Sequence, residues 1–346
     1  MDRMDAREAF ERLYARVAAE GREEMLFGKE TYEKAVKVLD KYAVANAGKG
    51  IFEFEFPFTG QPRMDLLAGY ECRNLCAPVN FVGEVNPLIQ NFFDAFAREP
   101  SFADYVYGYS FDLSAGASED TMPGLYLLPP LGRPTEAYVP ILLKTLGGEA
   151  FIPKVMNAFA EAPFRWQPHY AGYMAGRPGA PTRLGFSIKK ADCLYYAEKR
   201  EALLLDIETY MGREFSPEGR ELLRFLAAGG WIYDLQFDLY PDGTLGDNLG
   251  VALSFDSNDV DPRKAAGFLE RGAAGEKLRY LEHIGLADSR WRQMDRACYG
   301  VQHIVHSEGK RRLAGDVVKL DGIKVRFKKG NAYLAKGYLL AQSYYL

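Results

Sequence analysis

Residues 231–255 read WIYDLQFDLYPDGTLGDNLGVALSF, and they carry the clearest structural signal in the sequence. Polar and apolar residues alternate in 231–240, which is typical of a strand with one buried face. Pro241-Asp242-Gly243 then predicts a tight turn, and 249–255 predicts the returning strand. This stretch therefore predicts an antiparallel β-hairpin.

The same hairpin pattern recurs along the chain, each time after a segment with helical periodicity. The predicted strand pairs are 51–58 with 62–70, 105–113 with 123–131, 166–176 with 182–188, 231–240 with 249–255, and 317–327 with 332–342. The predicted helical segments are 5–45, 86–100, 134–160, 191–228 and 262–298. The chain is thus predicted to contain five helix-strand-strand-helix repeats.

Ten antiparallel strands with one apolar face each bury that face best as a closed barrel with helices around it. Closure also removes the unpaired edges that an open sheet would leave. We therefore predict an α+β fold, a ten-stranded antiparallel β-barrel surrounded by a ring of α-helices. No linker or low-complexity stretch divides the sequence, so we expect residues 1–346 to form a single domain.

Composition and charge exclude several classes of protein. The 346 residues carry 43 Lys and Arg against 47 Asp and Glu, a formal net charge of −4, which disfavours non-specific nucleic-acid binding. No apolar run approaches the roughly 18 residues of a membrane helix, and the N-terminal stretch lacks the apolar region of a signal peptide. Four cysteines do not make a disulfide framework. We expect a cytoplasmic protein that binds neither nucleic acid nor membrane.

Strand alternation predicts which side chains face the barrel lumen. Phe52, Phe54, Phe56 and Phe58 share one face of the first strand and are expected to pack on helices, so Glu53 and Glu55 face inward. The same rule sends these residues inward: Arg63, Asp65, Ser110, Asp112, Tyr126, Arg183, Ser187, Lys189, Asp234, Gln236, Asp238, Lys324, Arg326, Lys336 and Tyr338. Alternation predicts a polar sheet face whatever the function, so solvated residues without a role remain the alternative.

The order of elements resembles the ABBA prenyltransferases, whose PT barrel encloses the active site. At motif level the second repeat is similar: Phe111-Asp112-Leu113, a polar turn, then Tyr126-Leu127-Leu128-Pro129. Indole prenyltransferases carry Lys-x-Tyr before such a Pro, and the lysine position is Gly124 here. Of the family's Arg-x-Lys-x-Tyr, residues 183–187 keep the arginine, and Gly250-Val251-Ala252 replaces a further Lys-x-Tyr.

The resemblance implies roles for the inward residues. A glutamate on the first strand is the family's general base, and Glu53 or Glu55 occupies the similar position. The diphosphate of an isoprenyl donor would be held by fixed positive charge and hydroxyls: Arg63, Tyr126, Arg183, Lys324, Arg326, Lys336 and Tyr338. The acceptor would contact the remaining lumen residues: Asp65, Asp112, Ser187, Lys189, Asp234, Gln236 and Asp238.

Two functions follow from this pattern. The first is transfer of an isoprenyl group from its diphosphate to an aromatic or guanidine side chain, in a ribosomal precursor peptide during natural-product maturation. The second is a PT-barrel protein that has lost diphosphate chemistry and binds, or otherwise modifies, a peptide or small aromatic ligand. No cofactor is expected to be required, although Mg²⁺ can accompany a diphosphate donor.

Two weaker motifs lie near the C-terminal end. His303 and His306 have the spacing of a helical i, i+3 pair that can share a metal, but no third ligand is apparent, so no metal site is expected. Lys310-Arg311-Arg312 is interpreted as a solvated turn.

Overall fold

A computed structural model describes residues 6–45, 49–113, 121–255, 260–307 and 310–345. Its strands are β1 (Lys49–Pro57), β2 (Asp65–Glu71), β3 (Val106–Phe111), β4 (Gly124–Leu128), β5 (Trp166–Tyr173), β6 (Thr182–Ile188), β7 (Ile232–Leu239), β8 (Leu245–Leu253), β9 (Tyr299–Ser307), β10 (Lys310–Lys328) and β11 (Asn331–Tyr345). Its α-helices are α1 (Ala6–Val17), α2 (Lys29–Tyr42), α3 (Pro87–Ala97), α4 (Val139–Thr145), α5 (Ile152–Ala160), α6 (Lys190–Glu198), α7 (Arg200–Met211), α8 (Pro217–Ala227) and α9 (Gly272–His283).

The sheet closes on itself. Strands β1 to β8 pair in chain order, β8 pairs with β10, β10 with β11, and β11 returns to β1. Every one of these pairings is antiparallel, from Lys49↔Tyr344 at the closing seam to Lys324↔Ala252 between β10 and β8. The predicted ten-stranded antiparallel barrel surrounded by helices is confirmed.

Aromatic packing fixes the outer face of the first hairpin. Phe52, Phe54 and Phe56 are fully buried, as strand alternation predicts. Phe10 of α1 lies 5.6 Å from Phe52 and 5.9 Å from Phe54 between ring centres, and a π-helical turn (Glu23–Phe27) places Phe27 5.4 Å from Phe56. Because these rings face the helices, the alternate residues of β1 face the lumen.

The region after α9 departs from the sequence prediction. Only Gly272–His283 is α-helical within the predicted helix 262–298, and short 3₁₀ turns flank it. An additional strand, β9, pairs with the first half of the 19-residue β10 beyond the barrel. His303 and His306 therefore lie on a strand, where the helical spacing does not apply, and 310–312 begin a strand rather than a turn. Both interpretations were wrong because alternation in this region is weak and β10 is unusually long.

In the parts of the chain that the structure describes, no helix combines the length and the apolar character needed to cross a bilayer.

Candidate active site

The lumen contains a cavity of about 800 Å³. Its lining includes fourteen of the sixteen predicted site residues: Glu53, Glu55, Asp65, Asp112, Tyr126, Arg183, Ser187, Asp234, Gln236, Asp238, Lys324, Arg326, Lys336 and Tyr338. The lining also contains Arg177 and Asp321, so five cationic side chains meet seven carboxyl groups there.

Two predicted lumen residues lie elsewhere. Arg63 precedes β2, which begins at Asp65, so the alternation of that strand does not reach it. Lys189 follows the end of β6 and caps α6, where it is exposed. Neither side chain lines the cavity, because each falls one or two residues outside the observed strand.

Three arginines gather around one carboxylate near the hairpin turns. Arg183 donates from Nε to Oδ1 of Asp238 at 3.0 Å and from Nη1 to the hydroxyl of Tyr126 at 3.2 Å. Burial opposes ionisation of Asp238, but the charges of Arg183, Arg326 and Arg177 lower its pKa to about 2. Asp238 is therefore a permanent anion among three guanidinium groups.

The other two arginines, Arg177 and Arg326, differ in their hydrogen-bond partners. Arg177 makes a bidentate contact with Asp112, at 2.6 Å and 2.7 Å. Arg326 forms no ion pair with a carboxylate of the described residues, and its buried Nε has no hydrogen-bond partner among them. Arg326 is thus the member of this cluster with binding capacity left for an anion.

Glu55, one of the two candidate bases, is held in an ion pair by a lysine. Lys336 of β11 pairs with Glu55 and also lies 3.1 Å from Oδ2 of Asp65. Burial alone would raise the pKa of Glu55, but the charges of Lys336 and Lys324 outweigh it and hold that pKa well below its usual range. Glu55 is therefore a structural anion rather than a proton acceptor.

The other candidate base belongs to a carboxyl pair. Burial, and then the charge of Asp321, raise the pKa of Glu53 well above its usual range, and the two side chains are hydrogen-bonded. Burial also raises the pKa of Asp321. Two carboxyl groups at hydrogen-bond distance cannot both ionise easily, so they share one proton. One carboxylate of the pair remains available to accept another proton.

Lys324 lines the same cavity, and no carboxylate of the described residues forms an ion pair with it. Its Nζ is 4.3 Å from the centre of the Tyr338 ring. Burial lowers the pKa of Lys324, although Glu55, Glu53 and Asp234 oppose the effect. Burial, followed by the charges of Glu55 and Glu53, raises the pKa of Tyr338 well above its usual range, so its hydroxyl remains protonated.

A third carboxyl group, Asp234, lies on β7. Its Oδ2 accepts from the hydroxyl of Tyr170 at 3.3 Å and from Nε2 of Gln236 at 3.1 Å. Burial raises the pKa of Asp234 to about 7, against the opposing charge of Lys324. Asp234 therefore changes charge near neutral pH.

Glycines make room for two lumen tyrosines. A Cβ atom on Gly185 would lie 2.2 Å from the ring of Tyr170, and one on Gly172 would lie 2.5 Å from the ring of Tyr126. Both rings therefore lie across the bare backbone of a neighbouring strand, at the registers Tyr170↔Gly185 and Tyr126↔Gly172. A side chain at either glycine would displace the ring.

Sequence reasoning missed Tyr170, Tyr233 and Asp321, which all line the cavity. Each lies at a register shift, between Pro168 and Tyr170, between Ile232 and Asp234, or between Leu320 and Gly322. A β-bulge inserts one residue and breaks the two-residue alternation, so the parity rule assigns these side chains to the wrong face. His169, which lies 2.8 Å from Oγ of Ser187, was missed for the same reason.

Arg177 was missed because it lies in the β5–β6 connection, where no alternation applies. The Arg-Pro-Gly sequence at 177–179 marks a turn, and a charged residue at a turn next to the lumen mouth is the only signal that could have found it.

The described residues offer no candidate metal site. No group of three or more His, Cys, Asp and Glu side chains there is arranged to hold a metal ion.

The comparisons with known proteins concern the fold. No family model matches the chain, and no curated protein is significantly similar to it in sequence. Among solved structures, the apo form of prenyltransferase PriB is similar with a TM-score of 0.49 and 11% identity, over 97% of this chain and 96% of that one.

Two further solved structures are similar. PriB in a ternary complex with L-tryptophan and dimethylallyl thiolodiphosphate has a TM-score of 0.46 and 10% identity, over 97% of this chain and 96% of that one. AnaPT from Neosartorya fischeri has a TM-score of 0.41 and 11% identity, over 90% of this chain and 85% of that one. The solved structures that this chain resembles are thus prenyltransferases, as the sequence predicted, and the likeness is one of fold.

Proposed function

We propose that this protein transfers an isoprenyl group from its diphosphate to an aromatic or guanidine side chain, in a ribosomal precursor peptide during natural-product maturation. The observation that carries the proposal is the separation of charge in one lumen. Three arginines gather at the hairpin-turn end, and the Glu53–Asp321 carboxyl pair lies deeper, between β1 and the bulge of β10. An anionic leaving group and a proton acceptor are the two provisions that such a transfer needs.

The donor would bind at the arginines. Arg326 offers an N–H that has no partner in the described part of the chain, and Arg177 and Arg183 contribute charge and further donors beside it. The bond from C1 of the isoprenyl group to the diphosphate oxygen breaks, and the diphosphate leaves with the electron pair. Fixed positive charge stabilises that leaving group without reorganisation.

The acceptor would lie at the carboxyl pair. Its nucleophilic atom forms the new bond to C1, and its proton passes to the carboxylate of the Glu53–Asp321 pair. The Glu53–Asp321 pair takes the role of base rather than Glu55, because Lys336 holds Glu55 in an ion pair. Leu131 and Tyr333 both line the cavity and are 65% and 47% exposed, so the lumen is accessible to a side chain presented from outside.

A second candidate is favoured by a specific observation. Arg177, Arg183 and Lys336 each already contact a carboxylate, and carboxyl groups outnumber cations in the lumen. A diphosphate would have to compete with these internal anions. The alternative is a barrel that has lost diphosphate chemistry and binds, or otherwise modifies, a peptide or small aromatic ligand.

Titration calorimetry with a non-hydrolysable isoprenyl thiodiphosphate separates the two candidates. We expect binding to the wild-type protein, a loss of tenfold or more in Arg326→Gln because a charged hydrogen bond is removed, and no change in the exposed control Lys328→Gln. No binding at millimolar donor analogue would reject the transferase and leave the alternative.

Metal dependence is tested in the same experiment. We propose that the arginines make a cofactor unnecessary and that Mg²⁺ takes part only as a companion of the donor. Donor affinity in EDTA is then expected to remain measurable. A mass-spectrometric screen of isoprenyl diphosphates against Trp-, Tyr-, His- and Arg-containing peptides identifies the acceptor.

A further inference from the structure

Two buried acceptor atoms in the lumen receive no hydrogen bond from the residues that the structure describes. Asp234 is 5% exposed, and its Oδ1 has no hydrogen-bond partner among the described residues, although its Oδ2 accepts two hydrogen bonds. Oε1 of Gln236 is also buried and without a partner there. Both residues line the cavity. They are two positions apart on β7, so their side chains emerge on the same face of the sheet.

The orientation of the Gln236 amide is fixed by its neighbour. Nε2 donates to Oδ2 of Asp234 at 3.1 Å, and the reversed amide would place two acceptor oxygens against each other. The free Oε1 is therefore a consequence of that contact. An acceptor that is buried without a donor lowers stability, so this part of the lumen is complementary to a ligand that brings N–H groups.

The charge around these acceptors favours a cation. Tyr233 lines the cavity, and after burial the negative charges of Asp321, Asp234 and Glu53 are what raise its pKa. Three carboxyl groups therefore surround one tyrosine. Lys324 is the cation nearest to them, and its Nζ lies over the ring of Tyr338. A positively charged ligand would relieve the repulsion among the carboxyl groups.

We propose that the lumen binds a guanidinium group through Oδ1 of Asp234 and Oε1 of Gln236. A guanidinium is planar, carries five N–H donors in a fixed fork, and so can satisfy two neighbouring acceptors at once. Its flat faces can stack on aromatic rings, which Tyr170 and Tyr233 provide in the cavity lining. The binding site stands on the geometry alone, and only the statement that the bound group is the acceptor rests on the proposed function.

In that role the guanidinium would be modified as follows. One N–H proton passes to the carboxylate of the Glu53–Asp321 pair, and the nitrogen forms a bond to C1 of the isoprenyl group. The C1–O bond breaks, and diphosphate leaves with the electron pair. The product is an alkylguanidinium with the same single charge, so Asp234 faces a cation before and after the transfer.

The test is a calorimetric titration without any donor. The probe is Nα-acetyl-L-arginine methylamide, and Nα-acetyl-L-citrulline methylamide is its neutral analogue of nearly the same shape. We expect the arginine probe to bind at least tenfold more tightly than the citrulline probe and than Nα-acetyl-L-lysine methylamide. Asp234→Asn should lose tenfold or more in arginine affinity. Asp242→Asn, in the exposed β7–β8 turn, should lose none.

Three results would overturn the guanidinium site. They are equal affinity for arginine and citrulline, equal or tighter binding of lysine, and unchanged arginine affinity in an Asp234→Asn protein that remains folded. Absence of arginine binding at millimolar concentration would also overturn it, whatever the donor analogue does. Arginine binding without donor binding would instead reject the transferase and leave the guanidinium site in place.

Discussion

Arg183 and Asp238 are direct cross-strand neighbours on β6 and β7, and their charges meet at 3.0 Å with both residues almost fully buried. A buried ion pair of this kind adds little net stability, but removal of either partner alone is strongly destabilising. Removal of one partner leaves the other as a buried, uncompensated charge. The arginine cluster of the lumen is therefore part of the barrel's own stability.

Arg183→Ala should destabilise the protein by up to about 3–5 kcal/mol. The loss should be smaller than this maximum because the charges of Arg326 and Arg177 still stabilise the Asp238 carboxylate. The double variant Arg183→Ala/Asp238→Ala should be less destabilised than the sum of the two single variants, because it removes both charges. Urea unfolding of all three proteins gives the coupling energy. Simple additivity would show that the two side chains do not interact.

Glu53→Gln should reduce turnover by roughly 10²–10⁴-fold, because it removes one member of the carboxyl pair that acts as general base while the shape is kept. Glu55→Gln is the comparison. It breaks the ion pair with Lys336, so its main effect should be on stability. Steady-state assays measure turnover and thermal melts measure stability for both variants, so that the two effects are told apart. Wild-type turnover in Glu53→Gln would withdraw the assignment of the base.

The pKa of Asp234, about 7 in the fold against 3.8 for an ordinary aspartate, makes the stability of the ligand-free protein depend on pH. Between pH 4 and 7 the folded state binds more protons than the unfolded state, so stability falls as pH rises through this window. Asp234→Asn removes this pH-dependent loss of folding stability, which amounts to up to about 4 kcal/mol.

The variant should therefore gain stability relative to wild type from pH 4 to pH 8. Calorimetric melts at pH 4, 6 and 8 measure the difference, and Asp242→Asn serves as the exposed control. A difference that does not grow with pH would mean that Asp234 titrates normally.

Gly185→Ala should displace the Tyr170 ring, since the new Cβ would lie 2.2 Å from it. The displacement should cost about 1–3 kcal/mol and should break the hydrogen bond from Tyr170 to Asp234. Gly250→Ala is the milder lumen comparison, because its Cβ would meet side-chain atoms of Gln236 and Lys324 at 3.3 Å, a tight contact that those side chains relieve by moving a few tenths of an ångström. Urea unfolding should separate the two variants, and equal stability would contradict the packing described for Tyr170.

The single domain remains a prediction. Each hairpin has one apolar face and depends on barrel closure, so limited proteolysis should give either the whole core or small peptides. Two stable fragments of similar size would contradict it.

Alternation was sufficient to predict the barrel and most of its lumen. In β1 it separated Phe52 and Phe54 from Glu53 and Glu55 without error, because regular pleating makes the face of a side chain a function of its position alone. The same rule could not find Tyr233 or the other bulge residues, since a bulge depends on the partner strand and leaves no mark in the strand's own sequence.

The ends of strands were the second limit. Lys189 continues the polar–apolar alternation of β6 in the sequence, but β6 ends at Ile188 and Lys189 already caps α6. The positions of strand ends depend on how the barrel meets its helices, which is a tertiary property. Ion pairs such as Lys336 with Glu55 also depend on closure, and so the sequence could not tell Glu53 from Glu55 as a base.

The closing seam between β1 and β11 has a consequence for synthesis on the ribosome. Glu55 and its partner Lys336 are 281 positions apart. At a translation rate of about 5–20 residues per second, Lys336 is synthesised roughly 14–56 s after Glu55. During that time the phenylalanine face of β1 can already be covered by α1, which emerges before it, while the glutamate face stays hydrated. The growing chain thus exposes the side that water tolerates, and translation of β11 both closes the barrel and completes the cavity.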